Sequence, residues 1–521
     1  MVQKSDEGKG GRINQVMHTA FISTTVCVTA YLLLIANGLT NTYDGLWHGS
    51  VYTQYSWVIS LGRWFWPAVG LARINLSPEP LTSVLSVFLT VLGGCALAEW
   101  FDLKDSWKKY LVIFLSVINT AVCASLTYRY MSPTFAAAYL LSVLGIFVIR
   151  EEQQVWRIIL AVMCLTLSLA CYQADIGCAC LLVLINVIRL TQKDVPAKKI
   201  LRFFGVAAAS VLLSFICYKV MWDIALKVFH LQAAAYNNAG SVSIGEIFRK
   251  LPETLPNTYK MCKFYYFEDY LIKHNAYQRY FVFKVLWIGL AAAVGAVIVR
   301  TALKSRVKAA VFVLCILLIP AAVNVSMIVS GYTEYPKIQQ TMPLAVVLPF
   351  LACVMNLAAE KAKANRVFNT AVGALLSLAL AGNVLMVSID QQTLLSTKES
   401  SLSLISRVAA DLDFSDEPEN GYVFLGKIYD NPSYRHDDLW WRANEYAQYG
   451  NFFIAGNGNY DSYNGLLRDA AINLELNADS RYWHELEQRE EIKDMPVFPQ
   501  EGYIKKVDDV IIVKISNFRE E

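Results

Sequence analysis

About eleven apolar stretches, each near the length that crosses a bilayer, recur along the first 390 residues and constrain the fold more than any other feature. They start near Val16, Leu81, Tyr110, Thr134, Ile158, Ile176, Phe203, Val282, Ala309, Thr341 and Val367. A hydrocarbon core about 30 Å thick takes roughly 20 apolar residues per helix, so the spacing predicts an α-helical polytopic membrane protein. Composition agrees: of 521 residues, 55% are hydrophobic and 17% charged, and mean hydropathy is +0.37. A soluble domain carries about 25% charged residues. The first stretch lacks a small-residue cleavage site and is long enough to persist as a helix, so it is expected to remain in the mature chain.

Lysine and arginine set the orientation, because short basic loops stay on the cytoplasmic side. With the N-terminus inside, the inner segments are Lys4 to Arg12, Lys104 to Lys109, Arg150 to Arg157, Arg189 to Arg202, Arg300 to Lys308 and Lys361 to Arg366, all basic. The opposite turns at Arg129, Tyr172 to Asp175 and Gly331 to Gln340 are sparse in both residues. An odd number of crossings then leaves everything after about Asp390 on the outer side of the membrane.

The expected organisation is a membrane part, 1–390, with outer loops 39–78 and 222–281, followed by a soluble α/β domain, 391–521. The segment from Trp222 to Tyr280 mixes basic residues with aromatics, a composition suited to short amphipathic helices in the headgroup layer. The C-terminal segment holds about twice as many acidic as basic residues, and its apolar runs are too short to span. Strands are expected at Gly421 to Leu425 and Val510 to Ile515, and helices at Leu402 to Leu412 and Tyr463 to Leu476. The net charge of +3 averages a basic membrane part with an acidic tail and says little about partners.

Several chemistries are disfavoured. All eleven cysteines except Cys262 fall in apolar stretches, where cysteine acts as a small hydrophobe, and the tail has none. Six scattered histidines form no pair at ligand spacing, so no metal site is expected. Gly240 to Gly245 lacks the lysine and hydroxyl of a phosphate loop, Gly456 to Asn459 is read as a turn, and no dinucleotide fingerprint follows a strand.

Chemistry-bearing residues gather instead at the outer ends of the stretches. Thr40 to Gly49 place Asp44 among Tyr43, Trp47 and His48, and Gly62-Arg63-Trp64 follow in the same loop. Tyr172 and Gln173 sit at a second outer turn, Arg129 between two tyrosines at a third, and Glu334, Tyr335 and Lys337 at a fourth. Each has a plainer role open to it. Asp44 could cap a helix, Arg63 could snorkel to headgroups, Tyr172 and Gln173 could satisfy a tight hairpin, and Lys337, Arg129, Trp47 and His48 could anchor the interface.

With Tyr43-Asp44, Gly62-Arg63-Trp64, Ala170-Cys171-Tyr172-Gln173-Ala174 and Asp494 to Tyr503, the chain resembles the bacterial GtrII-type glucosyltransferases, polytopic enzymes of the GT-C class. The resemblance implies a polyprenyl-phosphate sugar donor, glucose in particular, and transfer to a surface polysaccharide or other envelope glycan such as O-antigen on the outer face. Partners are then the donor, the glycan acceptor and the bilayer, with no nucleic acid. Many GT-C enzymes carry paired acids in the first outer loop, whereas Asp44 stands between Tyr43 and Gly45. That departure favours a single general base and no metal cofactor. Asp44 would take the acceptor proton, and Arg63, Lys337, Arg129, Tyr172, Gln173, Trp47, His48, Glu334 and Tyr335 would bind substrate. A transporter or flippase of a lipid-linked glycan remains the alternative from another class, since buried acids such as Glu99 could couple ions. A polysaccharide polymerase or ligase is the third.

Overall fold

The computed structural model describes residues 3–41, 48–103, 106–151, 153–234, 244–267, 281–331, 340–357, 363–412, 418–435 and 460–517. Each of the eleven apolar stretches is helical. The helices are Gln3–Ala30, Leu81–Trp100, Ser106–Val117 with Thr120–Thr127, Ser132–Ile149, Val155–Cys171, Ile176–Gln192, Ala197–Val228, Phe281–Lys304, Arg306–Val323, Met342–Ala345 with Val347–Leu357, and Lys363–Ala410. Seven described helices are long and apolar enough to cross a membrane. An eighth follows if Ser106–Val117 and Thr120–Thr127, bent by 49°, form one span. The bend has a local cause: the Asn119 side chain accepts from Val122 N at 3.0 Å and starts a new helix. Val155–Cys171 stays below span length, and the charged first turns of Gln3–Ala30 dilute its apolar half.

The layers follow from burial. The stretch Gln173–Gln192 is 89% buried and forms the centre, whereas Ala197–Val228 and Val285–Lys304 are 22% buried and form the periphery. Leu212, Leu213, Ile216, Val220 and Ile288 point outward from that periphery, as lipid-facing side chains do. The central helix is approached closely at Gly177, where a Cβ would lie 2.9 Å from Pro343 Cβ and clash with Val323 O. Any side chain there would push two neighbouring helices away.

Two expectations need revision. In the basic aromatic segment, residues 222–228 continue the helix Ala197–Val228, and among its other described residues Ile244–Phe267 is one helix of 24 residues running through Pro252 and Pro256, where short pieces were expected. Tertiary hydrogen bonds hold it: Tyr259 Oη donates to Leu317 O at 2.7 Å, and Asn324 Nδ2 donates to Thr258 O at 3.3 Å. Residues 402–410 likewise form no separate helix, because Lys363–Ala410 is continuous for 48 residues. At 1.5 Å per residue it reaches about 72 Å, far beyond a hydrocarbon core, and carries its far end to the C-terminal sheet. The boundary at 390/391 falls inside this helix, where Gln391 Oε1 accepts from Leu34 N at 3.0 Å.

The C-terminal sheet has the order β1-β3-β2, with β1 (Tyr422–Leu425) parallel to β3 (Val510–Lys514) and β2 (Ile504–Val507) antiparallel to it. Strand β3 is buried throughout, so it reads as a continuous apolar run. Helices Tyr460–Asp469 and Ser480–Gln488 pack nearby; the first ends at Asp469, and Leu476 instead bridges to Tyr422. Buried Lys514 donates from Nζ to the carbonyls of Ile492, Lys493 and Met495 at 3.0, 2.7 and 2.8 Å. Tyr503 Oη donates to Asp411 Oδ2 at 2.7 Å and Tyr434 Oη to Thr397 O at 3.0 Å, which tie sheet and long helix together.

Candidate functional site

Residues 48–80 fold back on themselves before entering the helix Leu81–Trp100. A bridge joins Val51 to Leu76, Tyr52 N donates to Asn75 O at 3.2 Å, and Ser77 N donates to Ser50 O at 2.9 Å. Between these ends lie two short helices, Tyr55–Ser60 and Trp66–Leu71, with Gly62-Arg63-Trp64 in the link. The link turns at Gly62, whose φ is +86°. Glycine is needed on two counts, since that φ disfavours a side chain and a Cβ would clash with Tyr218 Oη and sit 2.9 Å from Gln173 Nε2.

Three neighbours clamp this link. Gln173 Nε2 donates to Leu61 O at 2.8 Å and to Tyr218 Oη at 2.9 Å. Trp222 Nε1, one helical turn beyond Tyr218, donates to Ile59 O at 2.7 Å. Trp66 Nε1 donates to Cys171 O at 2.5 Å. The Arg63 side chain emerges among them, with its guanidinium carbon 5.1 Å from the ring centroids of both Trp66 and Tyr172. Its Nε is buried and has no hydrogen-bond partner among the described residues. A cation held by aromatic faces, with a donor left over, is equipped to receive an anion.

Aromatic packing extends the site. Tyr52, Tyr128, Tyr130, Phe135, Trp66 and Tyr172 belong to one buried cluster. Tyr52 stacks on Tyr130 with centroids 4.3 Å apart, and Arg73 donates to Tyr130 O at 2.9 Å from above the same ring. Arg129 turns the other way, donating to Gly38 O at 2.6 Å. Asn41 N donates to Thr127 O at 3.0 Å and Asn41 Nδ2 to Thr127 Oγ1 at 3.1 Å. His48 meets Tyr52 edge-on at 4.8 Å. The chain on both sides of residues 42–47 is therefore fastened to the turn 127–130.

The C-terminal segment reaches this face. The Arg468 guanidinium carbon lies 3.2 Å from where a Gly49 Cβ would be. Burial lowers the His48 pKa, the charge of Asp461 opposes that, and the charge of Arg468 adds to it. Glu79, at the start of the helix Leu81–Trp100, accepts from Ser83 Oγ at 2.9 Å. Burial raises its pKa, while the Ser83 hydrogen bond and the charge of Arg129 pull it down.

Of the residues singled out by sequence, Arg63, Tyr172 and Gln173 lie together, and His48 and Arg129 lie on the same face through the tyrosine cluster. Asp44, Trp47, Glu334, Tyr335 and Lys337 lie outside the described residues. Sequence reasoning passed over Tyr218 and Trp222, whose i, i+4 spacing before a basic loop was a usable signal. It also passed over Tyr52, Tyr130, Arg73 and Glu79, which only the fold brings together. Among the described residues, no three His, Cys, Asp or Glu side chains gather in a group that could hold a metal ion.

Comparison with known proteins gives one family. The family model described as "Glucosyl transferase GtrII" matches residues 49–339, a stretch that contains Arg63, Arg129, Tyr172, Gln173, Glu334, Tyr335 and Lys337 and begins after Asp44. Neither a search of curated proteins nor a search of solved structures found a significant match. Because the matched stretch is more than half of a chain rich in apolar helices, and the clamped arginine site falls inside it, the chain belongs to the GtrII glucosyl transferase family and is a membrane glucosyltransferase.

Proposed function

We propose that the protein moves glucose from a polyprenyl-phosphate donor to an envelope glycan on the outer face of the bacterial cytoplasmic membrane. The observation that carries this reading is Arg63, a cation between Trp66 and Tyr172 with a spare buried donor, inside the family-matched stretch. A polyprenyl phosphate leaves as an anion, and a preorganised guanidinium stabilises the charge that develops on it. The buried cluster of Tyr52, Tyr130 and Trp66 packs the loop that carries Arg63 and so fixes where the cation stands.

In this mechanism an acceptor hydroxyl attacks the anomeric carbon as the bond from that carbon to the phosphate oxygen breaks. The hydroxyl proton passes to Asp44, and the electron pair of the broken bond stays on the phosphate beside Arg63. Asp44 is the acid that the resemblance assigns to the first outer loop, and it lies outside the described residues. One base and one cation suffice, so divalent metal is not required. Basic inner loops support an N-terminus inside and a GT-C-like arrangement with the sheet outside.

Purified protein should be offered glucosyl polyprenyl phosphate and a glucose nucleotide in parallel with a glycan acceptor. Transfer is expected from the lipid-linked donor; efficient turnover of the nucleotide alone would overturn the donor assignment. A flippase would move the lipid yet form no glycosidic product.

A further inference from the structure

The helix Ser132–Ile149 starts beside the Arg63 site, where Phe135 packs on Tyr172, and ends at Arg150 on the other side of the bundle. It runs parallel to Leu81–Trp100, since Ser86 and Ser132 meet at 2.9 Å near the two starts and the rings of Trp100 and Phe147 lie 6.1 Å apart near the two ends. Toward those ends the pair encloses a groove of about 530 Å³. One wall is Leu92, Cys95, Ala96 and Glu99, spaced i, i+3, i+4, i+7 and therefore a single helix face. Leu140, Leu144, Phe147 and Arg150 form the facing wall by the same spacing, and Val16 and Met17 of the first helix close the third side. Because the helices are parallel, Glu99 and Arg150 come last on both walls and stand at one end of an otherwise apolar groove.

Depth and charge decide which guest fits. At 1.5 Å per residue the wall from Leu140 to Arg150 is about 15 Å long, half of a hydrocarbon core about 30 Å thick, so the groove is as deep as one leaflet. Met17 is 51% exposed, which leaves the groove open to the bilayer. Apolar walls of that length fit an acyl chain, and the charged end falls where headgroups begin. Arg150 is held in place there: its Nη1 donates to Phe147 O at 2.7 Å and its guanidinium carbon lies 3.7 Å from the centroid of the Phe147 ring. The neighbouring carboxylate of Glu151, 3.8 Å from Arg150 Nε, is exposed to solvent. A planar guanidinium fixed in this way suits a phosphate. Glu99, half-buried on the facing wall, attracts an ammonium and repels a second negative charge.

We infer that this groove binds one phospholipid with a zwitterionic aminoethyl headgroup, a phosphatidylethanolamine, with an acyl chain between the two helix faces, its phosphate at Arg150 and its ammonium at Glu99. A phosphatidylglycerol would satisfy Arg150 but bring nothing to Glu99. The basic segments 104–109 and 150–157 flank this end and attract anionic lipid in general, whereas the choice of an amine is pinned to Glu99. On the orientation read from the basic loops this is the cytoplasmic leaflet, across the membrane from the Arg63 site; the recognition itself does not depend on the side. Bound lipid ties the first helix to the bundle through Val16 and Met17 and touches no substrate.

The test is thermal unfolding of the full-length protein in detergent, followed by tryptophan fluorescence, with dioleoyl phosphatidylethanolamine or dioleoyl phosphatidylglycerol added in rising amounts. A ligand of the folded state stabilises it by mass action, so Tm should rise saturably, and phosphatidylethanolamine should half-saturate at about a tenfold lower concentration than phosphatidylglycerol. Glu99→Gln keeps the shape and removes the charge; it should erase that preference while the rise itself persists. Arg150→Gln should raise the half-saturating concentration of both lipids about tenfold. Leu144→Trp fills the groove and should abolish the saturable response to both. If Leu144→Trp does not fold, the Glu99 and Arg150 variants decide. A parent that responds to neither lipid or to both alike, a Glu99→Gln protein that keeps the preference, or a folded Leu144→Trp protein that responds as the parent does would each overturn the site, the last by placing the lipid elsewhere on the helix bundle. Because the readout is unfolding, its failure leaves the glucosyltransferase reading untouched.

Discussion

Gln173 and Tyr218 meet over Gly62, with the Gln173 amide 2.9 Å from the Tyr218 hydroxyl, and this contact joins three parts of the chain spread over 156 residues of sequence. The same amide holds Leu61 O. The backbone on which Arg63 stands is thus set by a side-chain clamp, and a substitution in the clamp should be felt by the arginine.

Gly62→Ala tests that coupling. The methyl group would need a φ near +86° and would collide with the Tyr218 hydroxyl, costing about 1–3 kcal/mol of strain unless the clamp opens. Opening it should lower glucosyl transfer at least about tenfold, with a smaller effect on the unfolding midpoint, because most of the helical core is untouched. Tyr218→Phe removes the hydroxyl and should partly rescue Gly62→Ala. Failure of the double variant to recover any transfer would mean that the clamp does not act through Arg63.

Arg63→Ala should reduce kcat/KM for the lipid-linked donor by about 10²-fold or more, and Arg63→Lys should recover only part of it. Lysine keeps the charge but loses the planar fork that lies between the Trp66 and Tyr172 rings and whose geometry suits a two-fold contact with the proposed phosphate. Steady-state kinetics with varied donor is the check. Full activity in the lysine variant would leave charge alone as the requirement. Chelation of divalent ions should leave the parental rate near its starting value, since the proposal places Arg63, not a metal, beside the leaving phosphate.

His48 supplies a pH dependence whose sign is fixed. Its folded pKa is lowered, first by burial and next by Arg468, with Asp461 opposing. Below the ordinary histidine value of about 6.5 the unfolded chain takes up a proton that the folded chain resists, so the folded state loses stability as pH falls from there toward the lowered pKa. The contact between residues 48–50 and the helix Tyr460–Asp469 should loosen in that window. Hydrogen exchange of 460–469 measured between pH 7.5 and 5.5 should rise on acidification in the parent and stay flatter in His48→Gln. An equal rise in both would assign the effect to another group.

The helical starts were legible because about 20 apolar residues in a row leave few alternatives, and all eleven stretches are helical. Strands β1 and β3 were legible for a related reason: β-branched and aromatic runs bounded by turn residues. What sequence could not give was continuity. Nothing in residues 391–412 shows that they extend a membrane helix, because their apolar period fits a separate amphipathic helix equally well. The basic aromatic composition after Trp222 suggested short helices, yet Ile244–Phe267 runs on through Pro252 and Pro256, with Tyr259 and Thr258 hydrogen-bonded to the neighbouring helix and its end. In the site, Arg63, Tyr172 and Gln173 were visible as polar residues at turns. Their clamp was not, since Tyr218 and Trp222 lie on a peripheral helix that periodicity alone assigns to packing.

The proposed role of Asp44 as general base has the sharpest test. Asp44 lies in a segment fastened on one side through Asn41 to Thr127 and on the other through His48 to Tyr52. Asp44→Asn keeps size and polarity and loses the ability to take a proton, so kcat should fall by about 10²-fold or more while donor KM changes little. Glu79 gives a built-in contrast, as a half-buried acid whose carboxylate accepts from Ser83 Oγ. Glu79→Gln should shift the unfolding midpoint more than the rate, because its role is to hold the entrance of the helix Leu81–Trp100. Near-parental transfer by folded Asp44→Asn protein, measured as glycosidic product per enzyme, would remove Asp44 from the mechanism and leave Glu334, also within the family-matched stretch, as the next acid to substitute.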